Sequence, residues 1–217
     1  MRCIIQMTQD DKSGLLYPLL GLVRHRIGTD GDGVTTLVAG AGCPLQCRWC
    51  INKNLLKKAP AEMVTADALF DMVKIDDLYF RATGGGVTFG GGEPLLHAGF
   101  LFRFRSICSP EWKIRVETSL AVPSGSVETA ASAADEFIVD CKDPDPVRYH
   151  SYTGGDAALM LDNLCLLRDL IGPERIIVRI PLIPGYNTVS DREANAGLLR
   201  EMGFSRLELF DYVTDRN

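Results

Sequence analysis

Three cysteines fall close together in Cys43-Pro44-Leu45-Gln46-Cys47-Arg48-Trp49-Cys50, at the spacing Cys-x3-Cys-x2-Cys. A tetrahedral zinc site or a fully ligated iron–sulfur site takes four protein ligands. Three thiolates hold three irons of a four-iron cluster and leave one iron open. An open iron can bind a small chelating ligand, and that moves the motif from structure toward chemistry. A partial zinc site and a chance grouping of thiols are the alternatives for this loop taken alone.

A second constellation is Val87-Thr88-Phe89-Gly90-Gly91-Gly92-Glu93-Pro94. Glycines let the backbone approach a ligand closely and leave amides free. The Glu93 carboxylate can accept a hydrogen bond from an ammonium. A tight strand-to-helix turn would use the same glycines. A third constellation is Asp140 and Lys142, two apart on a predicted strand and so on one face, with Cys141 on the other. An acid and a base on an interior face are costly unless paired or used. A structural ion pair is the plain alternative to a role in chemistry. His25, His97 and His150 show no metal-ligand spacing.

These groups need elements to position them. The patterning predicts strands over 34–39, 86–90, 113–118, 136–142, 175–183 and 206–212. Helices are predicted between them, over 65–76, 98–107, 124–134, 156–171 and 190–202, the first capped by Thr65. Strands alternating with helices imply a parallel sheet with right-handed crossovers. Six strands are too few for a closed eight-fold barrel. The expected fold is α/β, a partial (β/α)6 TIM-like barrel, six-stranded and parallel, open on one side. Chemistry in such barrels sits at the carboxyl ends of the strands. The cysteine loop directly follows the first of these strands, which puts it on that face.

At 217 residues the chain makes one core domain, with 23 Lys+Arg against 28 Asp+Glu. It has no basic run, so no nucleic-acid partner is expected. The apolar stretch 15–23 is interrupted by Pro18 and Gly21. It falls far short of the ~20 residues of a membrane span, so no membrane partner is expected. The seven cysteines are an odd number, with Cys3, Cys108, Cys141 and Cys165 scattered singly. That pattern suits a reducing compartment, and a cytoplasmic protein is expected.

The cysteine loop, with the aromatic Trp49 just before its last thiol, and Gly91-Gly92-Glu93 one βα unit later resemble the radical S-adenosylmethionine (SAM) enzymes. Five further stretches narrow the resemblance to the activating enzymes of glycyl-radical enzymes, of the pyruvate formate-lyase activating type. They are Gly84-Gly85-Gly86-Val87-Thr88, Gly28-Thr29-Asp30-Gly31-Asp32-Gly33, Asn52, Asp140-Cys141-Lys142, and Val178-Arg179 leading to Pro184-Gly185. The chain departs from that family at Asp32, where a proline is usual, and at Glu117, where an aspartate is more common.

The resemblance implies a [4Fe-4S] cluster on Cys43, Cys47 and Cys50, with SAM bound through its amino and carboxylate groups to the open iron. Gly91, Gly92 and Glu93 would hold the amino group and Arg179 the carboxylate. Trp49 would lie beside the adenine, with Asn52 also in the cofactor site. Glu117 and Thr118 would meet the ribose or a monovalent cation. Asp140 and Lys142 would serve the cofactor or the target peptide. The implied activity is reductive cleavage of SAM to a 5′-deoxyadenosyl radical, which takes a hydrogen atom from a glycine of a partner glycyl-radical enzyme. The electron would come from a flavodoxin- or ferredoxin-type donor.

Two other functions fit the same residues. One is a radical SAM enzyme acting on a small molecule or peptide. The other is a non-catalytic iron–sulfur electron carrier, which would have no use for the glycine runs. Residues 1–27 read as an N-terminal extension and 28–217 as the core domain. The 33 residues between Cys50 and Gly84 contain no cysteine, so no ferredoxin-like insert is expected.

Overall fold

A computed structural model describes residues 15–58 and 60–212. Its strands are β1 (Tyr17–Ile27), β2 (Val34–Gly40), β3 (Glu62–Val64), β4 (Gly86–Gly91), β5 (Lys113–Thr118), β6 (Glu136–Asp140), β7 (Ile176–Leu182) and β8 (Leu207–Asp211). They form one sheet in the order β3-β1-β2-β4-β5-β6-β7-β8. The neighbours from β2 through β8 all pair in parallel. These are the six parallel strands expected from the sequence. The sheet is larger than expected because β1 and β3 add to it antiparallel beside β2. β3 and β8 lie at opposite edges, so the barrel is not closed. Of the stretch set apart as an N-terminal extension, Tyr17–Ile27 is thus a strand of the sheet itself. Its Tyr17 is fully buried. Cys3 lies outside the described residues.

The helices are α1 (Lys53–Lys58), α2 (Ala66–Val73), α3 (Asp77–Thr83), α4 (Ala98–Ile107), α5 (Ser124–Ala131), α6 (Pro146–Thr153), α7 (Ala157–Ile171) and α8 (Val189–Glu201). β7 reads as an almost continuous apolar run because a parallel strand is buried on both faces. Val38, Val87, Phe89, Val116, Val139 and Val178 join the core shared with the helices. Asp156 caps α7 by accepting from the Ala158 amide, and Thr188 and Asp191 close a reciprocal capping box on α8.

Two helices differ from the expectation. The helix predicted over 65–76 starts at its Thr65 cap but breaks after Val73 into a 3-10 turn and then α3. The cause is Asp76, only 2% exposed. Its carboxylate takes Arg24 and His25 from β1 and the Thr36 hydroxyl from β2. Those three long-range donors hold the turn against the sheet, and tertiary contacts override the local helical pattern. α6 is not among the expected helices, although its start is written in Asp145-Pro146. Asp145 accepts from the Arg148 amide, and proline occupies the first helical position.

The interior of the open barrel is lined with charge. Arg115 pairs with Glu136, which also takes Arg206. Higher up, Arg179 bridges Glu117 and Glu208. At the mouth, Lys142 joins Asp140 to the Tyr212 hydroxyl. The glycine-rich loop 28–33 between β1 and β2 folds beneath these layers. The Thr29 carbonyl accepts from Arg179. Gly31 lies so close to Arg115 that a Cβ there would sit 2.5 Å from its Nε.

Candidate functional site

The cysteine loop leaves the end of β2 and lies across the mouth. Its middle is fastened to the end of α6: the Gln46 amide donates to the Thr153 carbonyl at 2.8 Å and the Arg48 amide to the Tyr152 carbonyl at 3.1 Å. These bonds use carbonyls that a helix end leaves without internal partners. Leu45 is buried and anchors the loop, while Cys43 is exposed and Cys47 and Cys50 are half-buried. All three thiols are free. Burial pushes the Cys47 thiol up to about 11, against the pull of the Lys142 ammonium, and Cys43 and Cys50 push it further. Burial likewise raises Cys43. The Cys43 and Cys50 sulfurs thus both act on Cys47. Three free thiols on one loop at the mouth, with the Lys142 charge acting on Cys47, fit a four-iron cluster, in which each thiolate takes its own iron.

The glycine turn at the end of β4 lies directly beside this loop. The Gly92 amide donates to the Gly40 carbonyl at 2.9 Å and the Glu93 amide to the Gly42 carbonyl at 2.7 Å. A Cβ on Gly92 would sit 2.1 Å from the Gly42 oxygen, and Gly91 has φ +91. Both positions therefore require glycine. Asn52 donates its side-chain amide to the Gly91 carbonyl at 2.8 Å. The residue expected to touch the cofactor instead ties the far end of the cysteine loop to the glycine turn.

Glu93 also differs from the expectation. It is 2% exposed, and its two carboxylate oxygens already accept four hydrogen bonds. The donors are the Leu95 amide, the Thr118 hydroxyl, and the Ser119 amide and hydroxyl. Burial raises its pKa, and those bonds work against the rise. Glu93 is thus a knot between β4 and β5 with no lone pair left for an ammonium. Thr118 is buried, donates its hydroxyl to Glu93 and accepts from the Leu120 amide.

Arg179 does not stand free for a carboxylate. Its guanidinium reaches Glu117 at 2.8 Å, Glu208 at 3.0 Å and the Thr29 carbonyl. Burial would lower its pKa, but the Glu117 charge and the bonds to both carboxylates raise it. The other oxygen of Glu117 lies by Gly90, where a Cβ would come within 2.8 Å of it. Asp140 and Lys142 do meet, as their spacing predicts. Lys142 Nζ donates to Asp140 at 2.7 Å and to the Tyr212 hydroxyl at 2.8 Å. Burial alone would lower the Lys142 pKa, yet Asp140 and Tyr212 raise it well above the usual lysine range. Lys142 is therefore a fixed positive charge beside the cysteine loop. Asp140 keeps 37% of its side chain exposed at the mouth. Cys141 points the other way and is fully buried. Trp49 stands at the rim, 40% exposed.

Ser119, Tyr212, Tyr149 and Tyr152 also belong to this site, and sequence reasoning does not reach them. Only Tyr212 carries a sequence signal, as an aromatic at the end of the last strand.

The sequence profile of the radical SAM superfamily matches residues 37–199. Over 154 residues the chain is 33% identical to the indoleacetate decarboxylase activating enzyme of Tractidigestivibacter scatoligenes, covering 70% of this chain and 48% of that one. It thus spans about half the length of that relative. Over 215 residues it is 30% identical to the pyruvate formate-lyase 2-activating enzyme of Escherichia coli (strain K12), covering 84% of this chain and 71% of that one. Among solved structures, Streptococcus suis SuiB superposes with a TM-score of 0.64 over 83% of this chain and 40% of that one, at 13% identity. That likeness concerns the fold. The open parallel barrel, the three-thiol loop at its mouth and the match over most of the chain agree: the protein belongs to the radical SAM superfamily, whose members use a [4Fe-4S] cluster and SAM.

Proposed function

We propose that this protein is an activase that cleaves SAM reductively and takes one hydrogen atom from a glycine of a partner glycyl-radical enzyme. The observation that carries this is the contact between the three-thiol loop and the glycine turn, made by Gly40, Gly42 and Asn52. It holds a cluster-binding loop and the glycine turn within reach of one bound molecule. The relatives support the choice of partner, since those matching over most of their length are named as activating enzymes.

The cluster, when bound by Cys43, Cys47 and Cys50, supplies one electron and an open coordination position. SAM is the co-substrate: one electron and SAM give methionine and a 5′-deoxyadenosyl radical. That radical takes a hydrogen atom from the glycine Cα, giving 5′-deoxyadenosine and a glycyl radical stabilised by its flanking amides. The chain's own residues bind, orient and screen. Backbone groups of Gly91 and Gly92 meet the SAM amino group in place of the saturated Glu93 side chain. Lys142 holds a positive charge next to the thiolates. Asp140 offers its free oxygen at the mouth, and Trp49 covers the adenine side. Glu117, at Gly90, contacts the ribose, and Arg179 sets its position.

The gap between the sheet edges suits a peptide loop entering from a partner. The exposed residues Arg48, Trp49 and Ile51 around half-buried Cys50 bring the cluster to the surface, where a flavodoxin- or ferredoxin-type donor can deliver an electron. An oxygen-sensitive cluster and free thiols suit the reducing cytoplasm, and no helix among the described residues is long and apolar enough to cross a membrane. The cysteine-free stretch 51–83 supports a core without a ferredoxin-like insert.

The test is electron paramagnetic resonance of the reconstituted protein with SAM, a reductant and a candidate partner enzyme. A glycyl radical on the partner, with one 5′-deoxyadenosine per radical, is the expected result. SAM cleavage without any partner radical across the candidates would favour a small-molecule or peptide substrate. No change in the cluster spectrum on adding SAM would leave only an electron carrier.

A further inference from the structure

Leu120, in the turn that follows β5, has φ 56 and is fully buried. In left-handed backbone the Cβ of an L-residue crowds the following carbonyl oxygen, and a bulky leucine is a true outlier there. Among the described residues the other non-glycine at positive φ is His25, a type that enters this region more readily. A strained conformation persists only where its surroundings over-determine it.

Three hydrogen bonds hold this turn. The Leu120 amide donates to the Thr118 hydroxyl at 2.9 Å. The side-chain amide of Asn163, on α7, donates to the Leu120 carbonyl at 2.9 Å and to the Val122 carbonyl at 2.7 Å. Asn163 is buried. Both of its partners are carbonyl oxygens, so the position calls for a side chain with two donors; an aspartate or a leucine has none. The turn in its strained shape presents Ser119. The Ser119 amide and hydroxyl both donate to one Glu93 oxygen, at 2.9 and 2.6 Å. The Thr118 hydroxyl donates to the other at 2.7 Å. Three of the four bonds on Glu93 thus come from Thr118 and Ser119, and Glu93 directly follows Gly91-Gly92.

We propose that Asn163 is a positioning residue for SAM. By holding Leu120 in its left-handed conformation it aims Ser119 at Glu93, and Glu93 in turn sets the glycine turn that receives the SAM amino group. The inference rests on the reading of Gly91 and Gly92 as SAM-binding groups. Asn163 acts through Leu120 and Ser119 and carries no part of the chemistry itself. The competing role is an anchor that only fastens α7 to the sheet.

The experiment is a double-mutant cycle on SAM affinity. SAM is titrated into the anaerobically reconstituted protein, and the change in the electron paramagnetic resonance spectrum of the cluster gives the affinity. Wild type, Asn163→Leu, Leu120→Gly and the double variant are compared at matched iron content. Asn163→Leu should weaken SAM binding roughly three- to ten-fold, the loss of one hydrogen bond. In the Leu120→Gly background the same replacement should weaken it by less than about two-fold, because glycine takes positive φ unaided. An unchanged affinity in Asn163→Leu overturns the inference. So does an equal loss in both backgrounds, which would make Asn163 an anchor of α7 alone. Asn163→Ser, which keeps one donor, runs the same cycle if the leucine variant does not fold, and an equal loss in both backgrounds overturns the inference there too. A wild-type cluster spectrum that does not respond to SAM would instead overturn the SAM-site reading, and that control tells the two failures apart.

Discussion

At the scale of single residues, Glu93 and Asp140 are both acids at the mouth of the barrel, and their surroundings give them opposite tasks. Glu93 is filled by four donors from its own chain. Glu93→Gln would turn an NH2 group toward donors it cannot accept from. That should cost about 1–3 kcal/mol, seen as a lower midpoint of thermal unfolding. SAM affinity should fall only as far as the glycine turn shifts. Asp140 has one oxygen on Lys142 and the rest of its carboxylate open. Asp140→Asn should keep the fold and the iron content, because Lys142 retains Tyr212. It should lower the yield of 5′-deoxyadenosine roughly ten-fold, about 1.4 kcal/mol of transition-state stabilisation. Normal yield at matched iron would return Asp140 to the scaffold. The sequence could place the three thiols and the Asp140–Lys142 pair because spacing alone decides which side chains share a loop or a face. It could not assign Glu93 and Arg179, whose partners include groups on other strands and loops, up to 150 residues away.

At the scale of elements, the cysteine loop and the glycine turn are one unit. Two backbone hydrogen bonds and the Asn52 side chain join them. Gly92→Ala would drive a methyl group into the Gly42 carbonyl, 2.1 Å away, and push the loop off β4. Iron uptake on reconstitution should be lost or severely reduced. Gly197 is the contrast: it lies inside α8, and a methyl group added there would meet nothing within 4 Å. Gly197→Ala should raise stability by about 0.4–1 kcal/mol, by restricting the unfolded chain and favouring the helix. Denaturant titration of the two variants separates a glycine that geometry requires from one that it does not. Strand-helix alternation makes the parallel core legible. α6 is not legible although Asp145-Pro146 marks its start, because its apolar face is short and largely tyrosine. Neither is β1, because an antiparallel strand carries no crossover helix to announce it.

At the scale of the whole molecule, the charged interior couples the barrel to pH. Burial works to raise the Glu136 pKa, but hydrogen bonds from Arg206 and Arg115 lower it below the usual glutamate value. A carboxylate whose folded pKa is depressed contributes stability above its unfolded pKa. That contribution is lost as pH falls through the folded value. Glu136→Gln should therefore lower stability at neutral pH and leave less to lose under acid. Unfolding midpoints taken from pH 7 down to about 3, spanning the ordinary glutamate value near 4.3, should converge for the two proteins at the acid end. Parallel curves would show that Glu136 does not carry this dependence. The open barrel is legible as a count of strands and helices. Its charged lining is not, because each layer joins side chains from strands far apart in the sequence.

The bond from Arg179 to the Thr29 carbonyl spans 150 residues and runs from β7, next to the last strand, to the loop at the tip of the first hairpin. The sheet is open, yet this contact ties its two flanks together from within. Chains usually release their edges first, as separate local openings that expose amides well below the global unfolding free energy. Here the first hairpin and the β7–β8 edge should open as one cooperative event. Amide hydrogen exchange in β2 and β8 should then share a common free energy of opening. Arg179→Ala should split it in two, with β8 exchanging earlier than the hairpin.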